Sequence, residues 1–425
     1  MILGIRSWQL DGAASRDGAA LFSRVRTTLV CATLLALAPA PASAQQTQTT
    51  TQTLSDTLTF LLTNHSLPTD EFVLDAQVAA ATADTIGHSL ATGLSTLPIG
   101  SSASGFTYRV DRDLGGVVQR ASDSFGPFFT ERSLTVGRRR GSLGLSLQHA
   151  SFDSIDGRSL TAGTLVATAS TLEDDTVPFD VQTLTLRIKT DSMTLSGNYG
   201  ISDRVDIGAA LPFVRVSLSG ERVDSYRDFP KLIQASVTGT ASGIGDMALR
   251  VKYNVFRAPG NGVAIGAEAR LPTGSEENLL GSGEASLKPR VVWSVERNRI
   301  AVDTDFGYSF GGLSGELSYA AALTVIGTPR LMLVGEFAGG RFSEIGRLTQ
   351  TTTVIPSRSP NGLDTSTVRL SATEEARSRF MTVIGAKWNP GTTWLVSGNV
   401  LRRLTTDGLT ARWVPTVAVE YSFGR

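Results

Sequence analysis

Between Gly245 and Gly274 every second residue is apolar. Met247, Leu249, Val251, Tyr253 and Val255 are followed by the turn cluster Ala258-Pro259-Gly260-Asn261-Gly262, and the rhythm resumes at Val263, Ile265, Ala267, Ala269 and Leu271. The positions between carry Arg250, Lys252, Asn254, Glu268 and Arg270. A period of two residues across a turn is a two-faced β-hairpin, and no helix accommodates it. The pattern leaves open which face is wet. A soluble sandwich turns its apolar face inward, whereas a membrane barrel turns it toward lipid and its charges toward a watery lumen.

The N-terminus narrows the choice. Arg24 and Arg26 precede a short apolar run, Thr28–Ala38, and Ala42-Ser43-Ala44 then offers a small-residue cleavage site. This is the pattern of a secretory signal peptide, so residues 1–44 are expected to be removed. Such signals need about 15–30 residues, so the start lies further upstream than export requires. The only cysteine, Cys31, falls inside the signal, which leaves the mature chain without disulfides or thiolate chemistry. No later run approaches the roughly 20 apolar residues of a membrane helix. The expected location is therefore the periplasm, the exterior or the outer membrane. Lys plus Arg equals Asp plus Glu at 39 each, so the charge balance implies no nucleic-acid partner. A mean hydropathy of +0.03 suits a barrel, whose lipid-facing and water-facing residues average out.

Residues 45–56 form a polar, low-complexity lead. Residues 57–98 are Ala- and Leu-rich at loose helical spacing, with Val78, Ile86, Leu90, Leu94 and Leu97 on one broad face. They predict one or two helices ending at Pro98, placed in the periplasm or plugging a barrel. Residues 45–98 thus form the N-terminal element and 99–425 the barrel.

From there the alternation repeats. It predicts about fourteen strands, within a range of roughly twelve to sixteen, near 105–120, 128–136, 142–152, 181–200, 205–218, 243–256, 263–272, 284–296, 299–309, 315–326, 330–342, 366–388, 393–403 and 411–423. Parity breaks between Ile188 and Met193, the mark of a bulge or a second hairpin. The connections alternate in length. Short turns near Ser202-Asp203, 258–262, Arg297-Asn298, 327–329 and 389–392 are interleaved with longer loops near 219–242, 273–284, 311–315, 343–366 and 404–410. Short turns at one end and long loops at the other distinguish a membrane barrel from a sandwich. Trp388 and Trp394 flank a short turn, and Tyr308, Phe310 and Trp413 lie near longer loops, as interfacial girdles require. The expected fold is an all-β, antiparallel, up-and-down transmembrane barrel with a short N-terminal helical element.

The segments YGISDRVDIGAALPFV, GIGDMALRVKYNVF and ARLPTGSEENLLGSG resemble outer-membrane proteins of the meta-pathway phenol-degradation transporter family. GFTYRVDRDLGGVVQRASDSFGPFFTERSLTVGRRR and FDSIDGRSL share the likeness, which covers roughly residues 100–425. It implies a barrel and a role in moving aromatic or other small compounds, and it supplies no binding residues. The C-terminal strand departs from the usual barrel ending, because Phe423 is followed by Gly424-Arg425.

Chemistry-bearing motifs are sparse. His65, His88 and His149 are far apart in sequence and show no metal-ligand spacing, and no cofactor motif is present. His149 with Ser151 offers a base and a nucleophile on one strand face, but nothing in the spacing supplies the orienting third group. The glycine-rich GSGEAS and GTASGIGD open no helix and are not phosphate loops. If the apolar parity faces lipid, Arg250, Lys252, Arg270, Lys288 and Arg290 point into the lumen, followed by Asp303, Asp305 and Glu336. Each midplane Lys or Arg turned to lipid would cost about 2–4 kcal/mol. These charges are either a field across a pore or a lattice of cross-strand ion pairs. The expected function is diffusion of small, aromatic or hydrophobic molecules through the outer membrane, without a covalent step. The alternative is a closed structural or adhesive barrel. Expected partners are outer-membrane lipid, small solutes and the barrel-assembly machinery.

Overall fold

The computed structural model describes residues 52–65, 69–96, 105–111, 117–357, 362–391 and 393–424. The expected signal peptide and most of the expected polar lead lie outside the described residues. The first described elements are two helices, α1 (Leu54–Leu62) and α2 (Thr69–Thr96). Thr53 caps α1 through a reciprocal pair of bonds with Asp56, at 3.1 and 3.2 Å. No described helix is long and apolar enough to cross a membrane.

Next come a small hairpin, β1 (Tyr108–Asp111) and β2 (Val117–Arg120), then β3 (Arg140–Phe152), two short strands β4 (Ser154–Ile155) and β5 (Arg158–Ser159), and β6 (Leu165–Leu172). β7 (Asp180–Gly200), β8 (Val205–Tyr226), β9 (Leu232–Ile244), β10 (Met247–Ala258), β11 (Asn261–Leu271), β12 (Ser286–Arg297), β13 (Ile300–Gly311) and β14 (Glu316–Thr328) follow. The last are β15 (Leu331–Ile355), β16 (Thr365–Trp388), β17 (Trp394–Arg403), β18 (Leu409–Thr410) and β19 (Trp413–Gly424).

Twelve of these strands close a ring of antiparallel pairs in the order β3, β7, β8, β10 to β17 and β19, and β19 pairs with β3 to shut it. Closure leaves no unpaired wall edge, the condition for crossing a membrane with strands. The outer face is that of a membrane barrel. Leu145, Leu147, Met193, Leu195, Ile265, Val291, Phe306, Leu323 and Val417 all point outward and are exposed, and Ile384 reaches 73%. A soluble sandwich buries such residues, so the belt places the protein in the outer membrane. At the short-turn end Trp394 packs against Tyr421 with ring centroids 4.9 Å apart, and Tyr308 and Phe310 sit at 4.8 Å at the other end. At Gly260 the short turn between β10 and β11 takes φ +66°, a conformation glycine adopts without strain.

The twelve wall strands are the last twelve of the expected fourteen. The segments expected as strands at 105–120 and 128–136 do not join the wall; the first contains only the β1–β2 hairpin and the second runs through the lumen. Two further strands of the large sheet were not expected. β6 bridges β7 and β16, and β9 pairs with β8 before continuing into β10 past Gly245 and Asp246. The expected loops at 219–242 and 343–366 are largely strand. β8–β9 and β15–β16 run on as hairpins beyond the membrane belt.

These prolonged strands form an extension of the wall at the long-loop end, and there the facing inverts. Leu184, Leu186, Ile188, Val214, Val216, Leu218, Leu348 and Leu370 are buried on its inner side with Leu58 and Leu61 of α1 and Ile86 and Leu90 of α2. Each such leucine contributes about 1.5–3 kcal/mol on burial. β7 and β8 pair without a register shift from Asp180 to Gly200, so the parity break between Ile188 and Met193 is not a bulge. The backbone alternation is unbroken, and the apolar side changes where the strand passes from membrane to water. The helices can sit close because Gly220 and Gly239 lack side chains; a Cβ there would come within 2.5 Å of Leu61 and 2.7 Å of Leu54. Buried Arg222 bonds the carbonyl of Leu62 at the end of α1, Gln182 at 2.7 Å and Thr168 at 2.7 Å.

Candidate functional site

The barrel lumen has two unlike walls. Strands β10 to β14 turn their charges inward because their other faces meet lipid. Glu268 of β11, only 4% exposed, accepts from Arg250 at 2.8 Å, Arg270 at 3.0 Å and Arg290 at 3.1 Å. Arg290 also bonds Asp305 at 2.9 Å, and Lys288 pairs with Glu316 at 2.7 Å. Arg250 and Lys288 lie directly across from Glu268 on the two neighbouring strands. The basic and acidic residues are therefore neighbours joined by short bonds.

Of the remaining expected lumen residues, Glu336 and Lys252 bond the segment that runs through the lumen, and Asp303 sits beside a residue that does. Glu336 accepts the backbone N–H of Phe128, of Phe129 at 3.1 Å and of Thr130 at 2.9 Å, with the Thr130 hydroxyl at 3.0 Å. Lys252 donates to the carbonyl of Arg132 at 3.0 Å and lies 3.6 Å from Glu131. Asp303 is buried opposite Ser294, whose hydroxyl accepts the N–H of Ser133 at 2.8 Å. Sequence reasoning missed other members of this clamp. Lys387 donates to the carbonyl of Pro127 at 2.6 Å, Asn254 to that of Ser133 at 2.7 Å, and Asp206 accepts from Val136 at 2.9 Å. Glu268 and Lys387 could have been found by the rule that selected Arg250, since both sit at inward parity.

The opposite wall is mainly hydroxyl- and amide-bearing, with Glu420 of β19 as a charge at its cavity, where Asp246, Arg270 and Lys387 also reach. Ser142 and Gln148 of β3, Thr194 and Asn198 of β7, Asn399 of β17 and Thr416 of β19 face a cavity of about 110 Å³. A second cavity of about 130 Å³ lies against Glu268, Arg290 and Asp305. Phe129 and Arg270 line both, so the lumen segment lies between two connected sides, one mainly hydroxyl- and amide-lined and the other densely charged.

The histidines fall elsewhere. His65 Nε2 lies 2.9 Å from the carbonyl of Phe60. His88 lies 3.4 Å from Asp84 and 3.9 Å from Glu276, an exposed cluster joining α2 to the 273–284 loop. His149 Nδ1 is 2.6 Å from Asp191 on the outer face of the barrel. That supplies an orienting carboxylate, but no hydrogen bond joins Ser151 to His149 among the described residues, so the link from nucleophile to base is missing.

A family model described as "Putative MetA-pathway of phenol degradation" matches residues 166–333. The span runs from β6 into β15 and contains every residue of the charged wall named above, whereas Glu336 and Lys387 of the clamp lie beyond it. No curated protein matches the sequence. Among solved structures, an outer-membrane channel from Pseudomonas putida F1 is 12% identical, with a TM-score of 0.45 over 68% of this chain and 98% of that one. A mutant of the monoaromatic hydrocarbon channel TodX is 11% identical, with a TM-score of 0.33 over 76% and 96%. A Pseudomonas aeruginosa FadL homologue is 10% identical, with a TM-score of 0.30 over 67% and 90%. The barrel itself rests on its own closed ladder of strands.

Proposed function

We propose that the protein is an outer-membrane channel that passes small apolar or aromatic molecules by diffusion along the side of the lumen lined mainly by hydroxyl and amide groups, with no covalent step. The family match points to aromatic catabolism, and the two-sided lumen carries the reading. A solute on that side meets mostly Ser, Thr, Asn and Gln, with Glu420, Lys387, Arg270 and Asp246 at the margins of the cavity. The charged side is tied up in ion pairs and in the clamp on residues 122–136. A cavity of about 110 Å³ is of the order of the roughly 150 Å³ that admits a benzene ring. The expected lumen residues then serve the architecture. Arg250, Arg270, Lys288, Arg290 and Asp305 stiffen the wall, and Lys252, Asp303 and Glu336 hold the lumen segment. On this reading residues 1–44 are a removed signal, 45–98 supply helices that cap the lumen, and the assembly machinery reads the last strand around Phe423.

Passage requires the lumen segment to shift, and a reversible lock tests this. A Cβ built at Gly262 stands 3.4 Å from the Cβ of Ser133, close to the roughly 3.8 Å of a disulfide. The double variant Ser133→Cys with Gly262→Cys, oxidised in proteoliposomes, should admit an aromatic probe at least about tenfold more slowly than the same protein after reduction. Equal rates in both states would mean that the segment need not move. Absence of uptake by the folded wild-type protein would replace the channel with a closed structural barrel, the reading that the filled lumen favours.

A further inference from the structure

The outer face of the barrel changes character abruptly on β7 and β8. In one cross-strand row Leu147, Met193, Phe213 and Ile244 stand side by side, all exposed and apolar. Two residues further along the same strands, toward the long-loop end, Asp191 stands opposite Arg215, and Arg215 opposite Ser242. The row after that sets Lys189 opposite Ser217, and Arg187 follows on the same face of β7. Arg187, Lys189 and Arg215 are exposed, and none has an ion-pair partner among the described residues. Asp191, opposite Arg215, is turned to His149 at 2.6 Å, and exposed Glu221 lies two residues beyond Ser219, the residue opposite Arg187.

This run of cations is not repeated all round the barrel, although β15 carries exposed Arg341 opposite Leu317. At the same end of β12, β13 and β14 the outward residues are Leu287, Phe310 and Leu317. A uniform collar of charge at the membrane boundary would have appeared there too. Residues two apart on one strand face lie about 7 Å apart, and neighbouring strands about 4.8 Å apart, so three cations bracket a space the size of one phosphate. The hydroxyls of Ser217, Thr240 and Ser242 add donors beside them. Long loops mark the cell-exterior end of such a barrel.

We propose that this patch binds the phosphate-bearing headgroup of an outer-leaflet lipid, whose acyl chains lie against Leu147, Met193, Phe213 and Ile244. Charge complementarity and continuity with the lipid-facing belt select that occupant. A soluble anion would gain nothing from the apolar row below. Each Lys or Arg near an anionic membrane surface contributes about 1 kcal/mol, a factor of about five in affinity.

The test uses the full chain extracted from outer membranes in detergent. Binding is measured for a diphosphorylated lipid A, for the same lipid without phosphates, and for inorganic pyrophosphate as competitor. The diphosphorylated lipid should bind at least about tenfold more tightly than its dephosphorylated form. The triple variant Arg187→Gln, Lys189→Gln, Arg215→Gln should weaken binding roughly a hundredfold and flatten its salt dependence. Arg297→Gln, at the short-turn end, should leave it unchanged. Heat-dependent gel migration of the same samples reports folding, and channel activity is a separate readout. Wild-type affinity in the triple variant, indifference to the lipid phosphates, or displacement by pyrophosphate at lipid concentrations would each overturn the assignment.

Discussion

At the scale of single residues, Glu268 shows how a charged wall survives inside a membrane. Its carboxylate accepts from three guanidinium groups on three strands, Arg250, Arg270 and Arg290. Arg290 is balanced further by Asp305. Removing one partner of a buried charge cluster costs about 3–5 kcal/mol, because the remaining charges stay buried without compensation. Glu268→Ala should therefore lower the stability of the refolded barrel in urea by about that amount. Glu268→Gln, which keeps hydrogen-bond acceptance at one oxygen, should cost less. Equal stability of wild type and Glu268→Ala would show that water solvates the three arginines and that the cluster is not a structural unit.

At the scale of elements, the instructive feature is the strand that serves two solvents. β7 presents Met193 and Leu195 outward to lipid and Leu184, Leu186 and Ile188 inward to α1 and α2. β8 does the same with Phe213 outward and Val214, Val216 and Leu218 inward. The inner side of this extension also holds titratable groups. Near its tip, burial pushes the Asp180 carboxyl up to about 7, helped by the neighbouring Asp224 and opposed by Arg222. The folded chain then holds a proton that the unfolded chain releases near 4. Its contribution to stability is present at low pH and fades as pH rises from about 4 to about 7. Hydrogen exchange of the β7–β8 hairpin should accordingly quicken over that interval beyond the intrinsic rise, and Asp180→Asn should remove the excess. The same pH profile in both proteins would exclude Asp180 as its source.

At the scale of the whole molecule, ring size and filling go together. Eight strands enclose only side chains, whereas sixteen or more leave a water channel. Twelve leave a lumen too wide for side chains alone, and residues 122–136 run through it. Wild-type protein in a planar bilayer should therefore give no steady ohmic step. Glu336→Ala, which frees the N–H groups of Phe128, Phe129 and Thr130, should raise the frequency of brief openings. Large steady steps from the wild type would mean that the clamp does not hold in a bilayer.

Much of this was legible in the residues. The two-residue period placed twelve wall strands and turned Arg250, Lys252, Arg270, Lys288, Arg290, Asp303, Asp305 and Glu336 away from lipid. Parity is a property of the extended backbone, and lipid penalises a misplaced charge wherever the strand lies. The segment at 128–136 was misread because an extended chain bonded to side chains has the same local composition as one bonded to strands. The break at Ile188–Met193 was visible but ambiguous, since alternation cannot distinguish a slipped register from a change of solvent. By itself the sequence determined that strands alternate between lipid and lumen, because each residue's cost there is local. Only the tertiary structure decided which charges pair, what fills the ring and where the wall leaves the membrane, because those depend on residues brought together from opposite ends of the chain.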